Sequence, residues 1–164
     1  MTLVFFYDII ELYFVIFTKR IIINKKGKIM DNEIYENTKD IISDYDRVCS
    51  AISKYNNNPK VFANNVNILI GKMLSENEMY ETSRFEDSKE SRKHEIRYLT
   101  CASLIIKLFD CNFKLTLETE GMLDLKQSVL NLLFNGNKEI IDNIPNMLLV
   151  KATKDLENNK DISI

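Results

Sequence analysis

Tryptophan is absent from the 164 residues, glycine occurs 4 times, proline twice and histidine once. Each scarcity closes off a chemistry. With 4 glycines there is no glycine-rich loop to cradle a phosphate, and neither a nucleophile elbow nor a paired-histidine metal helix is present. Cys49, Cys101 and Cys111 are an odd number, with no pair at the two-to-four-residue spacing of structural zinc ligands. They read as three small buried hydrophobes in a reducing compartment. A dyad of Cys49 or Cys111 with His94 is the sharper alternative, but His94 stands at a Lys/Arg-flanked helix start, where a solvated ring is expected. The acids Glu86, Asp87 and Glu90 alternate with Lys and Ser and read as a solvated face. No catalytic residue, cofactor or metal is expected, and the chain reads as a non-enzyme.

Basic excess is also missing. The net charge is −2, and residues 1–29 hold five basic against two acidic side chains, so the remainder carries −5. An acidic body without a basic stripe lacks the footprint of a nucleic-acid binder, and no nucleic-acid partner is expected. What is abundant is Ile (21), Asn (18) and Lys (17), a usage that an A/T-rich genome imposes whatever the fold. Asn and Lys runs therefore carry little functional information here.

Residues 1–29 form an N-terminal extension around "LVFFYDIIELYFVIF". Asp8 and Glu11 interrupt its apolar run and the basic residues follow rather than precede it, unlike a signal peptide. It is short of the roughly 20 apolar residues needed to span a bilayer. Translated sequence upstream of a working start at Met30, a weak membrane segment and an added strand or helix all stay open. Apart from these residues, no membrane association is expected.

From Met30 to about Lys154 the pattern is that of a single helical domain, with a polar tail over 155–164. Apolar residues from Ile34 to Tyr55 fall within an arc of about 140°, one face of a helix. Asn58 and Pro59 suit the cap and first turn of the next, which carries Phe62, Val66, Leu69, Ile70 and Met73 on one stripe. Ser75 and Glu78 have capping-box spacing, predicting a separate short helix over 76–85. Over 94–110, "HEIRYLTCASLIIKLFD", only Thr100, Ser103, Lys107 and Asp110 form a polar strip, about 80° wide. A helix apolar over most of its circumference has to be surrounded by others. A further apolar helix is expected from about Glu120 to Phe134, stopped by "NGN", and a last segment carries Ile140, Ile141 and Ile144 before Pro145. The fold class is all-α, a compact bundle of about six to seven helices around the helix at 94–110.

Arg97 stands at the edge of the apolar arc that holds Cys101 and Leu104. Either its stem packs while its head reaches water, or it is a charged anchor at the lip of an apolar groove lined by Phe62, Val66, Ile70, Met73, Cys101 and Leu104. A partner's amphipathic helix would lie there with an acid toward Arg97.

The stretches "EIRYLTCASLIIKLFDCNFK" (95–114) and "GMLDLKQSVLNLLFNGNKEIIDNI" (121–144), with the helices before them, resemble the poxvirus Bcl-2-like proteins over about residues 33–150. The likeness is one of pattern. The Asn-Trp-Gly-Arg signature of cellular relatives has no counterpart in "SRKHEIRY", and "KDLENNKDISI" carries no apolar anchor of the mitochondrial kind. The resemblance implies a Bcl-2-like fold and a non-enzymatic virulence factor of the host cytoplasm that binds a host signalling protein and inhibits NF-κB or interferon-type innate activation. It also implies an alternative, an apoptosis inhibitor that captures the helix of a pro-apoptotic protein in the groove. Some relatives form homodimers through the first and sixth helices, which makes Tyr35, Tyr45 and Tyr55 the candidate dimer face. A helical scaffold or oligomerisation subunit is a third reading.

Overall fold

Helix punctuation in the sequence is largely what the chain obeys. The computed structural model describes residues 25–56 and 58–162, with side chains over 30–56, 58–149 and 151–152. Six helices follow one another: α1 (Lys25–Lys54), α2 (Pro59–Ser83), α3 (Ser88–Cys111), the short α4 (Phe113–Glu118), α5 (Met122–Phe134) and α6 (Lys138–Ile162). Among the described residues there are these six helices and no strand, an all-α bundle. The expectations for residues 1–24 lie outside the described residues.

The described residues divide into two compact units, one over Glu36–Ile141 and one formed by the segments that precede and follow it, up to Tyr35 and from Asp142. In the larger unit, Asn58 caps α2 by accepting from the backbone N–H groups of Lys60 (2.9 Å) and Val61 (3.4 Å), with Pro59 in the first turn. Asp87 does the same for α3 through Lys89 and Glu90. These bonds satisfy donors that a helix start leaves free, each capping residue contributing about 1 kcal/mol. Gly121, at φ +81°, supplies the left-handed residue that turns the chain from α4 into α5. At Gly136 an added Cβ would come 2.5 Å from Leu99 Cδ2, so a side chain there would require the buried tip of Leu99 to move.

α3 is the centre of this unit. Ile96, Leu99, Cys101, Ala102, Leu104, Ile105, Leu108 and Phe109 are all buried, and α2, α4 and α5 pack against it. α2 turns Phe62, Val66, Leu69, Ile70 and Met73 inward at helical spacing. Phe62, near the start of α2, meets Phe109, near the end of α3, edge-on at 6.2 Å, so the two helices run antiparallel. Each fully buried Leu, Ile or Phe side chain contributes about 1.5–3 kcal/mol. On α1, Ile41, Ile42, Tyr45, Val48 and Ile52 share the buried face.

Three local expectations are corrected. No helix begins at Ser75: α2 continues to Ser83, because its inward stripe extends past Met73 to Glu76, which is held internally. Thr100 is fully buried, whereas Lys107 and Asp110 of the same strip are exposed and Ser103 is half-buried, so the polar strip opens only along the C-terminal half of α3. The cysteines are not alike: Cys101 is buried, Cys49 half-buried and Cys111 exposed at the last residue of α3.

In the smaller unit, Met30, Asp31, Ile34, Ile144, Asn146 and Met147 are buried. Pro145 sits within α6 without ending it. The polar tail expected from Asp155 falls in the last turns of that helix, and its side chains lie outside the described residues.

Candidate functional site

Three helices bring seven charged or titratable side chains together in the larger unit. α1 contributes Asp40 and Asp44, α2 contributes Lys72 and Glu76, and α3 contributes Glu90, His94 and Arg97 at i, i+4 and i+7, one edge of the helix. Arg97 is the hub. Its Nε donates to Glu76 Oε1 at 2.8 Å, Nη1 to the Asn37 carbonyl and to Asp40 Oδ1, and Nη2 to Asp40 Oδ2, each at 2.8 Å. Four of its five N–H groups are spent on the protein itself. The fork on Asp40 is the bidentate geometry that makes such pairs strong and directional.

His94 lies between two acids, with Nδ1 2.6 Å from Glu76 Oε2 and Nε2 3.0 Å from Glu90 Oε1. Ionised carboxylates only accept, so both bonds exist together only when the ring carries a proton on each nitrogen. Its side chain is 12 % exposed; the solvated ring expected from the sequence is instead wedged between α2 and its own helix. On the far side, Lys72 Nζ reaches Asp40 at 3.1 Å and also Asp44. Arg47 pairs with the same Asp44.

The charges fix one another. The hydrogen bonds from Arg97 hold the Asp40 carboxyl well below the usual carboxylate range, against the opposing effect of burial and with help from Lys72. The same pair raises Arg97 above its ordinary value, with Glu76 adding to Asp40 and burial opposing. Burial works against the Lys72 ammonium, but its bonds to Asp44 and Asp40 prevail and raise it. The arrangement is a clamp: it ties α1, α2 and α3 by named ion pairs and leaves its central cation engaged.

The groove expected beside Arg97 is closed. Phe62, Val66, Cys101 and Leu104 are at most 1 % exposed, Met73 is 3 % and Ile70 9 %. The structure brings these residues together, but as two apolar faces of α2 and α3 that fill each other. The Cys101 thiol donates to the Leu69 carbonyl at 3.3 Å, and burial pushes its pKa up to about 12. Arg97 is neither a snorkelling side chain nor an anchor at a lip: it turns to Asp40 and Glu76 within the protein.

The tyrosines do not form one exposed face. Tyr45 is buried, its hydroxyl raised above its ordinary value by burial and by Cys49 beside it. Tyr55 is exposed, and Tyr35 is half-buried in the other unit. The sequence reading missed Asp40, Lys72 and Glu76. The signal for one side of the clamp was present in the i, i+4, i+7 spacing of Glu90, His94 and Arg97, which places three charged or titratable groups on one edge of α3, but it is diluted by a helix start, residues 88–95, that is polar all round.

Among the described residues no group of three or more His, Cys, Asp or Glu side chains is placed to hold a metal ion. Nor is any helix among them long and apolar enough to cross a membrane. Comparison of the chain with protein-family models, with curated proteins and with solved structures finds no match.

Proposed function

We propose that the chain is a non-enzymatic helical module that occupies a surface of a host signalling protein in the host cytoplasm and thereby blunts NF-κB or interferon-type activation. The resemblance of residues 95–114 and 121–144 to poxvirus Bcl-2-like proteins supports the class. The observation that selects within it is the closure of α2 on α3: Phe62, Val66, Ile70 and Met73 are buried, and the arginine that would face a captured helix is bonded to Asp40 and Glu76. Capture of a pro-apoptotic helix would require these faces to separate, exposing at least six apolar side chains before any is covered again. Occupying a partner through the outer surface requires no such opening. The clamp's acids and cations spend their bonds on one another, which supports a role in holding the fold rather than in reacting.

The test pairs two readouts on the full chain. Fluorescent helical peptides from pro-apoptotic proteins should show no saturable binding up to about 100 µM, while an NF-κB or interferon-responsive reporter in cells expressing the chain should fall several-fold. Micromolar peptide binding with an unchanged reporter would overturn the proposal in favour of the groove-binding alternative.

A further inference from the structure

The turn that joins α1 to α2 and the short helix α4 come to the same end of the larger unit. Asn58 opens α2 there, and Phe62, one turn on, meets Phe109 near the end of α3 at 6.2 Å. α4 follows α3 after Asn112 alone and packs on α2 as well as on α3. Its inner side is fixed: Leu115 and Thr116 are buried, and the Thr116 hydroxyl lies 2.8 Å from the Asn112 carbonyl and 3.1 Å from that of Phe109. Its outer side is left over, with Phe113 57 % and Leu117 51 % exposed, one turn apart. Tyr55, beside the turn that Asn56 makes at φ +53°, is 55 % exposed. A single exposed apolar residue is ordinary, but three large ones gathered at one small end of a bundle mark a contact surface.

The charge around these side chains selects their occupant. From residue 30 onward the chain carries −5, and cations such as Arg97, Lys72 and Lys126 are tied to acids. At this end Lys54, Lys60 and Lys114 are exposed. Among the described residues neither Lys54 nor Lys60 has a carboxylate at ion-pair distance, and Lys54 lies over the Tyr55 ring, 5.7 Å from its centroid. Lys114 reaches only Glu118, at 3.9 Å and with both side chains in solvent. The surface is therefore apolar and locally cationic on a body of the opposite sign. An occupant with carboxylates around apolar side chains meets both features. Size decides its class. Charges in solution are felt over about 8 Å, so a short acidic segment senses these lysines alone, whereas a bilayer or a nucleic-acid strand reaches past them to the acidic remainder.

We propose that the α1–α2 turn and α4 together dock an acidic peptide segment of a partner protein, one that carries Phe or Leu among its carboxylates. Lys54, Lys60 and Lys114 face the carboxylates, and Tyr55, Phe113 and Leu117 cover the apolar side chains. The inference rests on the reading that the chain occupies a signalling protein through its outer surface, and it names the place and the chemistry. The contact is small and bathed in solvent, so it is micromolar and weakens with salt.

Fluorescence anisotropy on the full chain tests this, with a labelled peptide of about 12 residues that holds Phe and Leu among Glu and Ser. It should bind saturably with a Kd of about 10–100 µM at low salt. The double variant Lys54→Glu with Lys60→Glu should weaken it about tenfold or more, and Phe113→Ser about fivefold, with far-UV circular dichroism unchanged. Lys93→Glu, at an exposed lysine toward the other end of α3, should leave the affinity as it is. In cells, the reporter that the wild type suppresses should recover in the double variant. No saturable binding by the wild type would overturn the proposal, and so would an equal loss in Lys93→Glu. Capture by vesicles of phosphatidylcholine and phosphatidylserine that is tighter than peptide binding, and lost in the same double variant, would overturn it in favour of a membrane surface. A double variant that loses the peptide yet suppresses the reporter as the wild type does would overturn the site and leave the signalling reading standing. A wild type that binds the peptide, with the expected losses in the variants, but never moves the reporter would support the docking surface and remove the signalling reading.

Discussion

α3 and α5 are both rich in large apolar residues, yet their surroundings differ. α3 is enclosed over most of its length, with even Thr100 fully buried; Lys107, Asp110 and Cys111 open to solvent near its end, and Glu90, His94 and Arg97 near its start are tied to partners. α5 buries Met122 and Val129 and leaves Leu123, Leu130 and Phe134 at the surface. Apolar content alone does not make a helix central. What separates the two is neighbours: α2, α4 and α5 all pack on α3, and the ion pairs of Arg97 hold α1 and α2 beside it. The enclosed helix carries stability, and the half-covered one is free to meet something else.

Large-to-small substitution should break this comparison most sharply. Leu99→Ala or Ile105→Ala in α3 leaves a cavity at a fully buried site and should cost about 2–5 kcal/mol in urea unfolding. Leu123→Ala, at a side chain 49 % exposed, should cost under about 1 kcal/mol. Equal losses at the two sites would show that the helices are not differently buried.

Next in size is the clamp. Arg97→Met keeps the stem and removes the charge, leaving the buried Glu76 carboxylate without its main cation. The loss should be about 2–4 kcal/mol, and it should shrink markedly when Glu76→Gln is added. A double-mutant cycle that gives no coupling would remove Arg97 from the account of how α1, α2 and α3 are held.

The smallest effect is in pH. Asp40 has a lower pKa folded than unfolded, so it contributes stability above about pH 4 that is lost as pH falls toward the depressed value. Its side chain is 54 % exposed, and solvent screening keeps that contribution modest. The carboxyl carbon of Asp40, followed by NMR, should titrate well below the ordinary range in wild type and move up toward about 4 in Arg97→Gln. An unchanged titration would mean that the fork on Asp40 is not formed in solution.

The parts of this arrangement that were legible in the sequence are those set by near neighbours. Asn58 and Pro59 announce the start of α2, and the narrow polar strip of residues 94–110 announces an enclosed helix. Local signals also misled. Ser75 and Glu78 have the spacing of a capping box, but their neighbour Glu76 is held by Arg97 and His94, and the helix runs through. The clamp was hidden for a different reason: Arg97 and Asp40 are 57 positions apart, and no periodicity within one helix says which edge of another it will meet. The apparent groove was read from the right residues, since Phe62, Val66, Ile70, Met73, Cys101 and Leu104 do come together. Apolar spacing tells which faces seek cover; whether they find it in each other or in a partner is decided by how the helices pack.

Thiol labelling tests the closure of α2 on α3 most directly, because the chain carries a reporter on each side of the distinction. Cys101 sits among the supposed groove residues and is fully buried, while Cys111 ends the same helix and is exposed. The native full chain, treated with a maleimide and mapped by peptide mass spectrometry, should be modified at Cys111 within minutes and at Cys101 only after denaturant is added. Labelling of Cys101 in the native protein at a rate comparable to Cys111 would mean that α2 and α3 open to solvent, and the account of a closed, clamped core would be contradicted.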